Sequence, residues 1–258
     1  MKITALPKAR AVALLLGALM TALIAETGPA RAQESDWRIE VVPYLWGSSV
    51  SGTVATFPGL PAANIDADFT DVLDNLDMGA MLAFTATRGR FGILGDLQYV
   101  DLGATAITPG PAFGGLQFDA KQLIATIGAE WSVAQAPNYD MRVVGALRYW
   151  DVNSDLLFLP GILPGVLVSG SDSWLDGMVG LRGRYDLGER TYLTGWALAG
   201  AGGSDFTADV MVGMGYRLSD RSSLVGGYRY LMVDRSNGSF LYDVEQDGLL
   251  LGVKLALN

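Results

Sequence analysis

The chain has 258 residues, with 18 Lys and Arg against 27 Asp and Glu, and it contains neither histidine nor cysteine. Without these two residue types it lacks disulfides, the usual general base and the ordinary ligands of zinc and copper sites. The acidic balance argues against nucleic acid as a partner, because phosphate binding needs a basic face. We therefore expect no catalytic residues, no metal ligands and no cofactor.

The first 32 residues predict a cleaved signal peptide. Lys2, Lys8 and Arg10 form a basic start, residues 11–25 form an apolar run, and Ala30-Arg31-Ala32 is a small-x-small cleavage site. The run is shorter than the roughly 20 residues of a membrane helix. The mature chain, predicted as residues 33–258, then holds 14 basic against 26 acidic residues, a net charge of −12.

After residue 36 the sequence reads as about ten segments in which apolar residues alternate with small or polar ones. The segments are Trp37–Val50, Met78–Arg88, Phe91–Leu102, Phe118–Ala134, Met141–Asn153, Trp174–Leu187, Thr191–Ala201, Phe206–Leu218, Ser223–Asp234 and Val244–Leu257. This pattern predicts an all-β fold, an antiparallel up-and-down transmembrane β-barrel of about ten strands, with eight or twelve left open.

The connections between the segments alternate in length. Those at one end are short, whereas 51–77, 103–117, 154–173 and 235–243 are longer and are predicted to be outer loops, with both termini in the periplasm. The alternative is a soluble β-sandwich, whose solvent face would be rich in Lys, Glu and Thr. Here that face holds mainly Gly, Ala and Ser.

Aromatic residues near the segment ends predict two interfacial girdles. They are Trp37, Trp46, Phe91, Tyr99, Trp131, Tyr149, Trp174, Tyr185, Tyr192, Tyr216 and Tyr228.

The alternation also predicts which charged residues line the lumen. The basic ones are Arg38, Arg142, Arg148, Arg182, Arg184, Arg217, Arg229 and Lys254, and the acidic ones are Glu40, Asp96, Glu130, Asp176 and Asp209. These charges either pair across a narrow interior or leave a thin polar path whose excess of bases favours anions.

Residues 66–77 predict a short amphipathic helix in the first outer loop. Asp68 is suited to cap it and Asp71 to sit in its first turn, and Phe69, Val72, Leu73 and Leu76 recur at helical spacing. Its apolar face is expected on the barrel mouth or at the membrane surface. This segment contains five aspartates, which are Asp66, Asp68, Asp71, Asp74 and Asp77. They lack the spacing of a calcium loop, although binding of a divalent cation remains an alternative.

The connection that contains Pro160–Gly165 is unusually apolar for an outer loop, since residues 156–159 before it are Leu-Leu-Phe-Leu. It is expected either to fold over the mouth or to contact a lipid, an apolar solute or a partner.

Several runs resemble a mostly uncharacterised family of proteobacterial outer-membrane β-barrel proteins, small and porin-like. They are Val42-Pro-Tyr-Leu-Trp-Gly47, Asp71-Val-Leu-Asp-Asn-Leu-Asp-Met-Gly-Ala80, Arg88-Gly-Arg-Phe-Gly92 with Gly95-Asp-Leu-Gln-Tyr99, and Gly227-Tyr-Arg-Tyr-Leu231. The resemblance implies a barrel fold and an outer-membrane location, and it brings no catalytic residues. Many such barrels end in an aromatic residue, whereas this chain ends in Leu257-Asn258.

These observations favour a non-catalytic outer-membrane barrel, either a narrow porin-like channel or a structural barrel with a charged lumen. The expected partners are outer-membrane lipid, lipopolysaccharide and the barrel assembly machinery. A surface-binding barrel that acts through acidic and apolar loops is the alternative. An outer-membrane enzyme is disfavoured because there is no histidine to serve as base, although a Ser–Lys or Asp-only arrangement stays open.

Overall fold

Ten long strands close into a ring, and one short strand lies beside the first of them. The computed structural model describes residues 37–57, 59–108 and 110–257. The elements are β1 Arg38–Ala55, β2 Ala63–Ala67, α1 Phe69–Asp74, β3 Leu76–Arg88, β4 Phe91–Ala106, β5 Phe113–Ala136, β6 Tyr139–Pro160, β7 Val166–Asp186, β8 Thr191–Gly202, β9 Phe206–Arg217, β10 Ser222–Asn237 and β11 Phe240–Ala256.

Neighbouring strands pair antiparallel around the whole ring. The first half of β1 pairs with β3, its second half pairs with β2, and its other edge pairs with β11, which closes the barrel. The prediction of an all-β, antiparallel up-and-down barrel of about ten strands is confirmed. The predicted signal peptide lies outside the described residues.

The strands are staggered, so the barrel is tilted. A line drawn through register partners from Arg38 crosses Glu130 and Asp209 and returns to β1 at Val50, twelve residues further on. With about 3.3 Å per residue and about 4.8 Å between strands, this offset corresponds to a tilt of about 40°. Side chains that meet inside the barrel therefore come from positions that shift steadily from strand to strand.

The outer face is apolar over a continuous belt. In β11, Leu249 and Leu251 are 73% and 63% exposed, whereas Gly252 is buried and faces inward. In β6, Met141 and Leu147 are likewise exposed. About ten residues of such a strand rise about 25 Å, the height of the apolar band of a transmembrane barrel.

Tyrosine–aspartate pairs mark one edge of this belt. Hydroxyl groups on the outer wall donate to carboxylates in the pairs Tyr99–Asp101 (3.5 Å), Tyr149–Asp151 (3.3 Å) and Tyr228–Asp247. An amphipathic ring beside a charged one suits the boundary between an apolar and an aqueous phase.

Three of the aromatic residues predicted for the girdles lie inside instead. Trp46, Trp174 and Tyr192 are buried in the lumen because each has the inward parity of its strand. On β1, for example, Trp46 shares its face with the buried Tyr44.

Most of the predicted outer loops are strand. β4 runs to Ala106 and β5 starts at Phe113, so little of 103–117 is loop, and the same holds for 154–173 and 235–243. Beyond the apolar belt these segments lose strict alternation, but their backbone groups still pair with one another. The apolar residues 156–159 accordingly belong to β6.

The predicted helix is present, but it ends at Asp74, whereas the apolar pattern continues to Leu76. Asp68 accepts from the Asp71 amide at 2.9 Å, and the Asp68 amide donates back to the Asp71 carboxylate at 3.3 Å, which forms a capping box. Leu76 is the first residue of β3 and not part of the helix.

Helix α1 packs on the outer wall of the barrel. A Cβ added at Gly47, which faces outward on β1, would lie 2.6 Å from Cε2 of Phe69. The missing side chain of Gly47 thus makes room for the Phe69 ring, while Leu73 stays exposed. Within the described ranges, no helix is long and apolar enough to cross a membrane.

The apolar belt yields a test on β11. Leu251→Arg should destabilise the folded barrel by about 2–4 kcal/mol, because Arg near the bilayer midplane is costly on the outer face. Asp243→Arg, on the same face of the same strand but beyond the belt, should change stability little. Urea unfolding of both variants in lipid vesicles measures the difference, and equal effects would contradict the position of the belt.

Candidate functional site

The interior of the barrel has three zones that follow one another along each strand. On β6, Arg142, Arg148 and Trp150 point inward in that order, away from the end that carries the short turns. We call the zone at Arg142 the cup, the zone at Arg148 the central network and the zone at Trp150 the aromatic layer. The cup is a cavity.

The central network joins two arginines to two aspartates from four strands. Arg148 Nη2 lies 2.5 Å and Arg229 Nη2 lies 2.7 Å from Asp209 Oδ2, and Arg229 Nε donates to Asp209 Oδ1 at 3.0 Å. Arg229 also reaches Asp96 at 3.4 Å, and Trp196 Nε1 donates to Asp209 at 2.8 Å. The charges of the two pairs cancel.

Neutral side chains complete this network. Tyr44 donates to Asp96 at 2.7 Å and accepts from Arg229 at 2.9 Å, while Thr126 accepts from Arg148 Nε at 2.9 Å. The side chains of Arg148, Arg229 and Asp209 are each only 1% exposed. Such burial is tolerable only because each charge meets an opposite charge and further hydrogen bonds.

The aromatic layer fills the lumen next to the network. The rings of Trp150 and Trp174 stack with centroids 5.5 Å apart, and Tyr242 and Phe240 lie 6.2 and 6.3 Å from Trp174. Asp176 belongs to this layer, where it accepts hydrogen bonds from Trp174 Nε1 at 3.2 Å and from the Ser204 amide at 2.8 Å.

The chain that follows β1 passes over the far mouth. Phe57 makes an edge-on contact with Phe118 of β5, with ring centroids 6.3 Å apart. The carbonyl of Thr56 comes so close to Gly170 of β7 that no Cβ would fit there. Residues 56 and 57 thus reach across the mouth opposite the short turns and contact β5 and β7.

The cup is a cavity of about 560 Å³ at the short-turn end. Its basic side chains are Arg38, Arg142, Arg182, Arg184, Arg217 and Lys254, and its acidic ones are Glu40, Asp96, Glu130, Asp140 and Asp186. Because Asp96 pairs with Arg229 in the central network, six basic groups face four remaining carboxylates. The cup therefore holds two positive charges in excess, although the chain as a whole has a net charge of −9.

Carboxylates in the cup are shared between cations. Glu40 binds Arg38 at 3.2 Å and Lys254 at 3.1 Å, and Glu130 lies 3.4 Å from Arg142 and 3.2 Å from Arg182.

At the rim of the cup, Asp186 lies 3.0 Å from Arg184 and 2.8 Å from Arg217. Desolvation raises the pKa of its carboxyl, but the hydrogen bonds and charges of these two arginines outweigh it and hold the pKa below its usual value. Asp186 therefore stays ionised at neutral pH.

All thirteen charged residues predicted for the lumen have their side chains on the inner face. The central network brings together Asp96, Arg148, Asp209 and Arg229, the cup holds Arg38, Glu40, Glu130, Arg142, Arg182, Arg184, Arg217 and Lys254, and Asp176 lies in the aromatic layer. Of the two arrangements left open, the structure shows the paired one at the centre of the barrel.

Sequence reasoning missed the polar partners Tyr44, Trp196, Asp140 and Asp186, together with the aromatic layer. Trp150 and Trp174 carry the inward parity of Arg148 and Asp176, two residues away on the same strands, so the alternation already contained this signal.

Comparison with known proteins finds no matching family model and no matching curated protein. The resemblance to the proteobacterial family thus stays a prediction. Among solved structures, the outer membrane protease OmpT from Escherichia coli is similar over 90% of this chain and 99% of its own, with 9% identity and a TM-score of 0.47. Ail, the attachment invasion locus protein of Yersinia pestis, solved with a heparin analogue, covers 86% of this chain and 98% of its own, with 13% identity and a TM-score of 0.40.

The transport unit of the autotransporter AIDA-I from Escherichia coli covers 98% of this chain and 99% of its own, with 9% identity and a TM-score of 0.40. Likeness at this level leaves location and activity to be argued from the chain itself.

The central network predicts that a single substitution at Asp209 strongly destabilises the barrel. Asp209→Asn should destabilise the barrel by about 3–5 kcal/mol, because it leaves Arg148 and Arg229 buried with one carboxylate fewer. Asp186→Asn also removes a carboxylate from two arginines, but at a solvated rim, and should cost far less. Urea unfolding in detergent measures both losses, and a smaller loss of stability for Asp209→Asn than for Asp186→Asn would contradict a stabilising role of the buried network.

Proposed function

We propose that this protein is a non-catalytic integral barrel of the bacterial outer membrane whose lumen is a packed core and not a pore. The observation that carries this proposal is the central network, in which the Arg148–Asp209–Arg229 contacts span the interior with almost no exposed side-chain surface. The aromatic layer and the cover at Thr56 and Phe57 add two further closures.

The location is supported by the outer face and the ends of the barrel. A belt of apolar side chains with tyrosines and carboxylates at its edge suits a bilayer, and a closed barrel is one of the two architectures that satisfy every backbone group there. The short turns, the start of β1 and the end of β11 lie at the same end of the barrel. The cup at this end then faces the periplasm, and the opposite mouth faces outward. The predicted signal peptide is consistent with export.

The non-catalytic part of the proposal is supported by the chemistry of the lumen. Lys254 and Ser223 are register partners, which is the pairing that a Ser–Lys mechanism would need. The Lys254 ammonium is instead bound by Glu40 at 3.1 Å. It is therefore held as one member of an ion pair.

Cysteine accessibility tests the closure, and the absence of native cysteine makes every introduced thiol unique. Thr194→Cys places a thiol in the cup, and Thr207→Cys places one beyond the central network, where Thr207 is completely buried. A charged methanethiosulfonate should label the first in the folded barrel and the second only after unfolding in urea. Rapid labelling of both in the folded barrel would show a through-path.

A second candidate function, surface binding, is favoured by the tip between β6 and β7. Ile162 is 76% exposed there, and Leu163 and Leu167 beside it are also exposed. Apolar groups at an accessible tip suit contact with a partner surface.

Adherence to host-cell monolayers tests this candidate. Cells that display Ile162→Ser with Leu163→Ser should adhere several-fold less than wild type, because the apolar contact is lost. Leu218→Ser is the matched control, since Leu218 is an exposed leucine at the opposite end. Wild-type adherence no higher than that of cells lacking the protein would end this candidate.

A further inference from the structure

The cup is closed at its inner end, so it is shaped as a binding pocket. Its floor is formed by Tyr44, Asp96, Trp196 and Met211, next to the central network, and its opening lies at the short turns. A solute that enters can leave only by the same opening. This description rests on the proposed closure of the barrel, although the cup itself is present in the fold.

Three cations in the cup converge on one aromatic ring. The Arg184 guanidinium carbon lies 3.8 Å from the centroid of the Tyr192 ring, Lys254 Nζ lies 5.0 Å from it, and the Arg217 guanidinium carbon lies 5.4 Å from it. Tyr192 itself is buried, so it fixes the position of this cluster against the wall. Positive charge from three side chains is therefore concentrated at this part of the cup wall.

The surrounding carboxylates leave part of this charge unbalanced. Arg184 and Arg217 share the single carboxylate of Asp186, and Lys254 shares Glu40 with Arg38. The side chains of Arg182, Arg184 and Arg217 remain about a quarter to a third exposed and so are open to the solvent in the cup. Positive charge confined in a concave site with low-dielectric walls attracts anions.

We propose that the cup binds a small solute that carries phosphate or carboxylate groups and enters from the side of the short turns. Guanidinium groups recognise the oxygens of both groups through paired hydrogen bonds. A volume of about 560 Å³ limits the ligand to a small molecule.

A thiol in the cup reports on this charge directly. The experiment uses detergent-solubilised Thr194→Cys protein and measures the labelling rates of an anionic and a cationic methanethiosulfonate. The ratio of the anionic to the cationic rate is then normalised to the same ratio for a free thiol in solution. We expect a normalised ratio of about three or more. Adding Arg184→Gln with Arg217→Gln should bring it near or below one, whereas Arg190→Gln with Arg221→Gln, exposed arginines in turns at the same end, should leave it unchanged.

Asp186→Asn should change the labelling ratio in the opposite direction. It removes a negative charge from the rim of the cup and should raise the ratio, so the proposal remains testable even if the double arginine variant does not fold. A ratio of one or less in the Thr194→Cys protein, or an equal drop in the Arg190 and Arg221 control, would overturn the proposal.

Ligand binding is measured in the same detergent-solubilised protein by calorimetry, with pyrophosphate and citrate as probes at equal ionic strength. We expect either probe to protect the Thr194→Cys thiol from labelling. The affinity of that probe should fall at least tenfold when Arg184→Gln and Arg217→Gln are added. Preference for one probe distinguishes phosphate from carboxylate. No protection by either probe would overturn the proposal. Failure of the closure is seen separately as labelling of Thr207→Cys.

Discussion

The ion pairs of Asp209 with Arg148 and Arg229 are the constraint on which the interior depends. A barrel of ten strands with an offset of twelve residues is wider than one of eight strands, which side chains just fill. Long side chains are therefore needed to reach across it, and the chain uses arginine and tryptophan. Arginine brings a charge into the interior, so carboxylates must accompany it at matching levels on other strands. The network is stable only as a set, because removing one member leaves another charge buried without its partner.

The two ends of the lumen differ because this set occupies only its middle. On the side opposite the short turns, the rings of Trp150, Trp174, Tyr242 and Phe240 fill the lumen, and Phe57 reaches across the mouth to Phe118. On the side of the short turns, inward positions carry cations that share too few carboxylates, and small residues such as Ala83 and Thr85 leave room between them. The same barrel wall thus supports a packed core at one level and a charged cavity at another.

The sequence was most informative where the apolar belt enforces alternation, and it predicted the ten spanning strands and the faces of Leu251 and Arg148. It was least informative beyond the belt, where both faces meet water and residues such as 154–160 lose the period of two while their backbone pairing continues. The capping box at Asp68 and Asp71 was readable because it depends on three residues of local spacing. The partners inside the lumen were not readable, since the contact of Arg229 with Asp96 depends on the stagger that accumulates between β10 and β4, which alternation does not specify. Trp46 and Trp174 lie near strand ends, which predicts a girdle position, but their parity along the strand puts them in the lumen.

The central network and the aromatic layer together are proposed to close the lumen. Planar lipid bilayers that contain purified, folded protein test this closure most directly, because a continuous aqueous path of even a few ångströms carries a measurable ionic current. If the lumen is closed, insertion produces no unitary current steps above the bilayer baseline in 1 M KCl at either polarity. Stable, reproducible current steps from the folded barrel would contradict it and would make the lumen a channel.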